Sequence, residues 1–242
     1  MPREIFCGKT DIGLRRSNNE DVFVTSPELG FCLAADGLGG AAAGELASKI
    51  FADTASEVFT DATDRSEKEI VYRVKKSFYF ANERMLEHVT RNPNHKGMGC
   101  TAELLAFSGD GFIISHVGDS RTYRFRKGQL EQLTQDHTLV QEQVEQGLIR
   151  PDNVRDHPLG NIVLRAVGQE NELALDLLRG KVLRGDLFLL NSDGLTDMVQ
   201  DDQIQQILTS DVDIHRKVDA LIESAKAAGG KDNITVVLVS IA

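Results

Sequence analysis

The sequence contains no tryptophan, and only three of its 242 residues are cysteine and five are proline. Cys7, Cys32 and Cys100 lie far apart and form no CxxC pair, so we predict neither a disulfide framework nor a zinc knuckle. This usage indicates a reducing compartment. No Pro-, Gly- or Ser-rich linker and no internal repeat divides the chain, and we expect one domain over residues 1–242.

Long apolar runs and a surplus of basic residues are also missing. No window approaches 18 uninterrupted apolar residues, and the N-terminus carries no apolar leader, so we expect a cytoplasmic protein without membrane contact. There are 27 Lys and Arg against 37 Asp and Glu, which gives a formal net charge of -10. This charge repels nucleic acid and anionic membranes and excludes both as expected partners.

The hydrophobic pattern predicts many short strands and a few helices. Hairpin-length connections indicate antiparallel strands, and strands that are apolar on both faces indicate sheets covered on both sides. We therefore expect stacked sheets between helical layers. The predicted strands cover residues 5–10, 21–25, 31–35, 101–107, 112–117, 122–125, 129–133, 173–178, 187–191 and 234–241, and the predicted helices cover 46–59, 66–90, 139–146, 203–208 and 214–225.

One stretch places a carboxylate where a buried strand should end. The apolar run from Phe31 stops at Asp36 and continues through Gly37, Gly39 and Gly40. A charge at the end of a buried strand is normally paired or bound to a metal, and glycine lets the backbone approach a ligand closely. A solvated turn explains this stretch alone equally well.

Similar acidic junctions recur along the chain. Each lies beside an apolar strand, and together they could supply the oxygen ligands that hard divalent cations prefer. For a single junction a solvated turn is the commoner explanation, whereas the repeated pattern favours a metal site. No segment has EF-hand spacing, which argues against a calcium loop. The junctions are Glu20-Asp21, Gly118-Asp119, Asp193-Gly194 and Asp232-Asn233.

These motifs carry a resemblance to a known family. They occur in the order found in the PP2C-type, metal-dependent protein serine/threonine phosphatases, and the chain resembles a compact bacterial member over nearly its whole length. The motifs are Asp11-x-Gly13-x-x-Arg16-x-x-Asn19-Glu20-Asp21, Asp36-Gly37-Leu38-Gly39-Gly40, Gly118-Asp119-Ser120-Arg121, Ser192-Asp193-Gly194 and Gly230-x-Asp232-Asn233.

The resemblance implies a fold and a set of partners. The fold is α+β, a four-layer αββα sandwich of two mostly antiparallel sheets flanked by helix pairs, with a flap over about residues 136–168. The reaction is hydrolysis of phosphoserine and phosphothreonine by a metal-activated water, which needs no protein nucleophile. The partners are phosphorylated proteins, including a serine/threonine kinase and its targets, and the protein is expected to be a monomer.

The resemblance also implies roles for individual residues, with two Mn²⁺ or Mg²⁺ ions at the centre. The bridging ligand is Asp36, and the Gly37 carbonyl binds one of the ions. Asp21 orients metal-bound water, and Glu20 acts through such water. The remaining roles are Asp193 and Asp232 as ligands of the other ion, Asp119 with Asp193 as the site of a third, weaker ion, and Arg16 as the phosphate-binding residue.

The chain departs from the family pattern beside the glycines. Ala41 stands where many bacterial relatives have histidine, and Leu38 where methionine is usual, so no side chain of this loop can act as general acid. His116, His137 and His157 are alternatives by residue type only. The run from Pro158 to Asn161 also lacks a basic residue expected in the flap.

Other functions fit the sequence less well. A Gly37-x-Gly39-x-x-Ala42 run after a strand partly matches a dinucleotide fingerprint, but Asp36 would then face the pyrophosphate and a second helix follows the first. A non-catalytic phosphoprotein-binding pseudophosphatase should lack Asp36, Asp193 or Asp232, and all are present. A phosphatase of anti-sigma-factor antagonists would keep the metals but normally lacks the long flap.

Overall fold

The computed structural model describes residues 3–60, 64–155 and 157–242, without the side chains of residues 41, 42 and 152. Within this part of the chain the strands form two five-stranded antiparallel sheets. Sheet I contains, in spatial order, β2 (Asp21–Ser26), β3 (Phe31–Leu38), β4 (Gly99–Ser108), β5 (Gly111–Val117) and β8 (Asp176–Lys181). Sheet II contains β1 (Glu4–Asp11), β10 (Ile234–Ile241), β9 (Leu187–Asn191), β6 (Arg121–Arg126) and β7 (Gln129–Gln132).

Helix pairs cover the outer faces of both sheets. The pair α1 (Ala41–Thr60) and α2 (Glu67–Arg91) packs on sheet I through a core that includes Phe51, Phe59 and Phe78. The pair α5 (Asp201–Thr209) and α6 (Ile214–Ala227) packs on sheet II. A third apolar cluster, centred on Phe188, fills the space between the sheets. The arrangement confirms the expected α+β sandwich with layers in the order αββα.

Strand β3 corrects one sequence prediction. The strand was expected to stop at Ala35, but it continues through Asp36 to Leu38. The reason is its register, since Asp36 pairs with Asp21 on β2 and with Thr101 on β4. Asp36 therefore lies inside a strand with neighbours on both sides, which fixes its direction more firmly than a turn would.

Two further elements differ from prediction. Strand β8 covers Asp176–Lys181 and not residues 173–178, because its pairing with β5 begins at Asp176 while Leu173 packs against the α1–α2 core before the strand starts. The residues after β9, for which no element was predicted, form a short helix, α4 (Asp193–Thr196). Asp193 is thus the first helical residue, with a main-chain hydrogen bond from Asp197 N to its carbonyl.

The start of α2 shows half of a capping box. Ser66 Oγ accepts a hydrogen bond from Glu69 N at 3.3 Å. The Glu69 carboxylate does not return to Ser66 N, because it pairs with Arg73 at 2.7 Å. Ser66 N donates to Asp64 Oδ1 at 2.7 Å in its place.

Residues 136–168, here called the flap segment, lie between β7 and β8. They contain α3 (Leu139–Glu145), whose N-cap Thr138 accepts a hydrogen bond from Gln141 N. The segment returns to the body through bridges between Thr138 and Val163 and between Cys100 and Val167. Residue 156 of the predicted flap lies outside the described residues. Among the described helices none is long and apolar enough to cross a membrane.

Candidate metal and phosphate site

The centre of the site is built by the register of sheet I. Asp36 lies between Asp21 and Thr101 on neighbouring strands. Gly118 packs so closely on Thr101 that a Cβ at residue 118 would clash with that side chain. Asp119 therefore comes to the same edge of the sheet as Asp36.

Sheet II brings the remaining carboxylates to this edge. Ser192 Oγ donates to Asp21 Oδ2 at 2.7 Å and accepts from Thr235 N at 3.0 Å, so it connects the two sheets. The next residues enter α4, where Gly194 packs directly on the Asn233 carbonyl and leaves no room for a Cβ. Asp193 and Asp232 are consequently held beside one another, although they lie on different elements.

Asn233 anchors the loop that precedes β2. Its Oδ1 accepts from Glu20 N at 2.8 Å, and its Nδ2 donates to the carbonyls of Asn18 at 2.9 Å and Ile12 at 3.1 Å. Asn233 belongs to one of the sequence motifs, but the motif did not predict a role for its side chain. Its partners are more than 200 residues away in sequence, so no local pattern could reveal this function.

These elements enclose a cavity of about 170 Å³. Asp21 is 5% exposed and does not line this cavity. Asn161 and Val163 of the flap segment also reach this cavity, and sequence reasoning did not assign them to the site. The cavity is lined by Arg16, Glu20, Asp36, Gly37, Leu38, Asp119, Asn161, Val163, Asp193, Asp232 and Asn233.

The carboxylates destabilise one another in their ionised forms. Burial, followed by repulsion from neighbouring aspartates, raises the pKa of Asp36 and of Asp193 well above the usual value. Burial and the nearby charges of Asp136 and Asp197 raise the pKa of Asp119 to about 7. Burial also raises the pKa of Asp21 to about 6. A cation in the cavity would reverse these effects by favouring the charged forms.

Among the described residues, two carboxylate oxygens of this site are buried without a hydrogen-bond partner. They are Asp21 Oδ1 and Asp193 Oδ1, while the other Asp21 oxygen is bonded to Ser192. Buried carboxylate oxygens normally have partners, and an exception calls for a bound ion or water. The donor set is composed of oxygen atoms and so fits a hard divalent cation better than a thiolate- or imidazole-preferring metal.

Arg16 closes one side of the cavity. Its guanidinium pairs with Asp232 Oδ2 at 2.6 Å, and its side chain is 51% exposed. Within the described residues, no three His, Cys, Asp or Glu side chains form a group that could hold a metal ion by themselves. Mg²⁺ usually keeps several waters and binds through only one or two carboxylates, so an open, hydrated site agrees with this arrangement.

The histidines considered as general acids do not line the cavity. His116 is fully buried and bonded to Glu103. His137 is bonded to Gly118 N at 3.1 Å, and His157 accepts from Leu159 N at 3.2 Å. The structure therefore does not support a role for these three histidines as the proton donor.

Similarity to known proteins decides the family. The sequence profile of the family described as protein phosphatase 2C matches residues 15–238. The chain belongs to the protein phosphatase 2C family. The protein phosphatase PhpP of Streptococcus pneumoniae is 35% identical over 235 residues, which cover 96% of this chain and 95% of that protein.

Solved structures agree with this family assignment. The serine/threonine phosphatase of S. agalactiae is similar with a TM-score of 0.93 and 36% identity, over 99% of this chain and all (100%) of that one. The catalytic domain of the serine/threonine protein phosphatase PstP, solved in complex with two manganese ions, is similar with a TM-score of 0.88 and 32% identity, over 98% of each chain. The phosphatase fold and enzyme class expected from the sequence are therefore confirmed.

A larger groove of about 690 Å³ adjoins the carboxylate cavity. It shares Asp119, Asn161 and Asp193 with that cavity and extends between the flap segment and the α4–α5 region. Arg155 of the flap segment closes one side by donating to the Asp197 carbonyl at 3.0 Å. An extended chain whose phosphorylated residue entered the cavity could continue along this groove.

Proposed function

We propose that this phosphatase hydrolyses phosphoserine and phosphothreonine in proteins, with two Mn²⁺ or Mg²⁺ ions held by the carboxylate cavity. The observation that supports this most directly is the group of partly buried, mutually repelling aspartates, two of which have unpartnered buried oxygens. Burying such charges without compensation is costly, so their retention indicates a cationic ligand.

The proposed ligands follow the geometry of the cavity. Asp36 is central and would bridge the ions, with the Gly37 carbonyl on one of them. The other ion would be held by Asp193 and Asp232, which α4 and the loop before β10 bring together. A third, weaker ion would bind Asp119 and Asp193. The two side chains are close, because the charge of Asp119 raises the pKa of Asp193 and both charges raise the pKa of Asp36.

Divalent cations bound here would make a hydroxide available near neutral pH and would offset the negative charge of the phosphoryl oxygens. The chain itself orients the reactants. Glu20 and Asp21 hold water beside the cavity, and the Ser192 hydrogen bond fixes the direction of the Asp21 carboxylate. Arg16 binds the phosphate, which offers its planar guanidinium a bidentate partner in place of Asp232.

The substrates are proposed to be a serine/threonine kinase and its targets, bound through the adjoining groove. We further propose that the enzyme acts in the cytoplasm as a monomer. Its domain spans residues 1–242, with residues 136–168 as a flap that contacts the protein substrate. The similarity to PhpP and PstP over nearly the full length supports this proposal.

The test is metal-stimulated phosphate release by the purified full chain. After metal removal, Mn²⁺ or Mg²⁺ should restore hydrolysis of a phosphothreonine peptide and of p-nitrophenyl phosphate. Asp53→Asn, which changes an exposed aspartate on α1, serves as the matched control for carboxylate loss and should remain active. Absence of metal-stimulated release from either substrate would refute the proposed function.

A further inference from the structure

His137 contacts the loop that carries Asp119 at two points. Its backbone N donates to the Gly118 carbonyl at 2.7 Å, and its ring Nδ1 accepts from Gly118 N at 3.1 Å. One residue thus satisfies both backbone polar groups of Gly118. Because Asp119 is the next residue, the direction of its side chain depends on this contact.

The opposite side of the same loop is also fixed. Gly118 has a positive φ of 112° and packs against Thr101, which bonds to Ser120 through hydroxyls 2.7 Å apart. The loop is therefore held between β4 on one side and His137 on the other. Removing the His137 ring contact would leave the buried N–H of Gly118 without its acceptor.

His137 also holds the base of the flap segment closed. Its carbonyl accepts from Leu164 N at 2.7 Å, and Leu139 N, two residues on, donates to the Ile162 carbonyl at 2.9 Å. The preceding residue, Asp136, accepts from Arg121 Nε at 2.8 Å and from its terminal nitrogen at 2.7 Å. The two ends of the flap segment and the Asp119 loop consequently meet at His137, through its main chain and its ring.

The contact with Gly118 N defines the tautomer of the ring. Nδ1 presents a lone pair to Gly118 N, so the proton of the neutral ring is on Nε2, which lies 3.4 Å from Asp176 Oδ2 and 3.2 Å from Arg165 Nη1 of the flap segment. The His116 ring lies beside it, with centroids 4.4 Å apart. Burial, with the positive charges of His116 and Arg165, lowers the pKa of His137 to about 4, which agrees with a neutral ring.

We infer that His137 is a positioning residue, which aligns Asp119 for the weakest metal site and ties that site to the closed base of the flap segment. The inference rests on the proposed function, because Asp119 is a ligand only if the cavity binds cations. It assigns His137 no proton transfer. Its contribution is one accepted hydrogen bond and two main-chain hydrogen bonds at a fixed place.

The test compares two substitutions of similar polarity. His137→Asn places Oδ1 as many bonds from Cα as Nδ1 and can still accept from Gly118 N, whereas His137→Gln carries its amide one bond farther out. His157→Gln is the matched control, since this flap histidine contacts Leu159 N and not the Asp119 loop. Mn²⁺ binding to the full chain is measured by electron paramagnetic resonance of the free ion, and flap opening by the rate of chymotrypsin cleavage within residues 139–164.

We expect His137→Gln to weaken the lowest-affinity Mn²⁺ site by about 10-fold or more and to speed cleavage, as loss of an outer partner of a ligand does. His137→Asn and His157→Gln should stay close to wild type. Unchanged binding of the weakest ion in His137→Gln, or equal loss in both His137 variants, would overturn the inference. Failure of the wild-type chain to bind Mn²⁺ would instead refute the proposed function.

A measurement on the wild-type protein covers the case in which His137→Gln does not fold. Imidazole ¹⁵N chemical shifts report which ring nitrogen carries the proton. We expect an unprotonated Nδ1 and a protonated Nε2 at pH 7.5. A protonated Nδ1 would contradict the contact with Gly118 on which the inference depends.

Discussion

The face of sheet I that points toward sheet II carries two clusters of charged side chains, and these clusters are neighbours along β4. At the edge of this face, Asp36 pairs with Thr101, and two residues farther along β4 Glu103 occupies the same face opposite His116. Every polar atom of the second cluster has a partner: Glu103 bonds His116 and Thr122, and His116 Nε2 donates to the Gln135 carbonyl at 2.8 Å. The first cluster leaves oxygens of Asp21 and Asp193 unpartnered.

This difference in hydrogen bonding distinguishes charged side chains that stabilise the fold from charged side chains that bind a ligand. A buried ion pair with satisfied hydrogen bonds is compensated within the fold. A set of buried like charges is compensated only by something added to the fold. The Glu103–His116 pair therefore serves as an internal reference, against which the behaviour of the carboxylate cavity can be judged.

The largest expected effect is that of Asp36→Asn on turnover. Loss of a bridging ligand should lower kcat by more than the roughly 10–100-fold that follows loss of an outer-shell partner. The same change should raise the melting temperature of the metal-free protein, because it relieves repulsion among the aspartates. Steady-state kinetics and thermal unfolding in a chelator check both effects, and near wild-type turnover would refute the bridging role.

The reference pair should respond in the opposite way. Glu103→Leu leaves His116 buried without its partner, and we expect a loss of about 3–5 kcal/mol in the free energy of unfolding. The double change Glu103→Leu with His116→Leu should recover much of this loss, because neither charge remains. Urea unfolding measures both, and a single variant as stable as wild type would show that the pair is not a compensated charge.

Stability should depend on pH in the metal-free protein. The pKa of Asp21 is raised to about 6 and that of Asp119 to about 7, so the folded state binds more protons than the unfolded state above pH about 4. The contribution of these two groups to stability is therefore highest below that pH and falls by several kcal/mol, on the order of 1.4 kcal/mol for each pKa unit, as pH rises to about 7. Saturating Mg²⁺ should remove most of this loss of stability. The Asp36→Asn change should remove a part of it.

Thermal unfolding between pH 5 and pH 7.5, with and without Mg²⁺, measures this dependence. The Asp36→Asn curve separates the contribution of the cavity from that of the histidines. The lowered pKa of His137 opposes the fall in stability, whereas the raised pKa of His116 adds to it. A metal-free wild-type protein whose stability stays constant or increases over this range would contradict the account of the cavity.

A smaller effect is expected for Arg16→Ala. Removing a charge-assisted contact to phosphate should raise KM by about 10-fold and lower kcat less, because the side chain acts mainly in binding. The half-exposed position of Arg16 predicts little change in stability. Kinetics with a phosphothreonine peptide provide the measurement, and an unchanged KM would remove Arg16 from the phosphate site.

The sequence predicted the elements of the fold and the carboxylates well, because both depend on local patterns. Helical periodicity identified α2, and strand ends beside Asp and Gly identified Asp36, Asp193 and Asp232 as neighbours in one cavity. The extension of β3 through Asp36 was missed, since it depends on pairing with two other strands.

Contacts between distant segments could not be predicted from local patterns. The link from Ser192 to Asp21 spans 171 residues, and that from Asn233 to Glu20 spans 213. His137 was considered only as a residue type, and its hydrogen bonds to Gly118 became visible only when the flap segment was placed against β5. These polar contacts determine where the ligands point, and the hydrophobic pattern carries no information on them.

Calorimetric titration of the metal-free full chain with Mn²⁺ at pH 7.5 tests most directly whether the unpartnered carboxylates are a cation site. The account predicts at least two bound ions for the wild type, loss of the tight ions in Asp36→Asn, and unchanged binding in the exposed control Asp53→Asn. Equal stoichiometry and affinity in wild type and Asp36→Asn would contradict it.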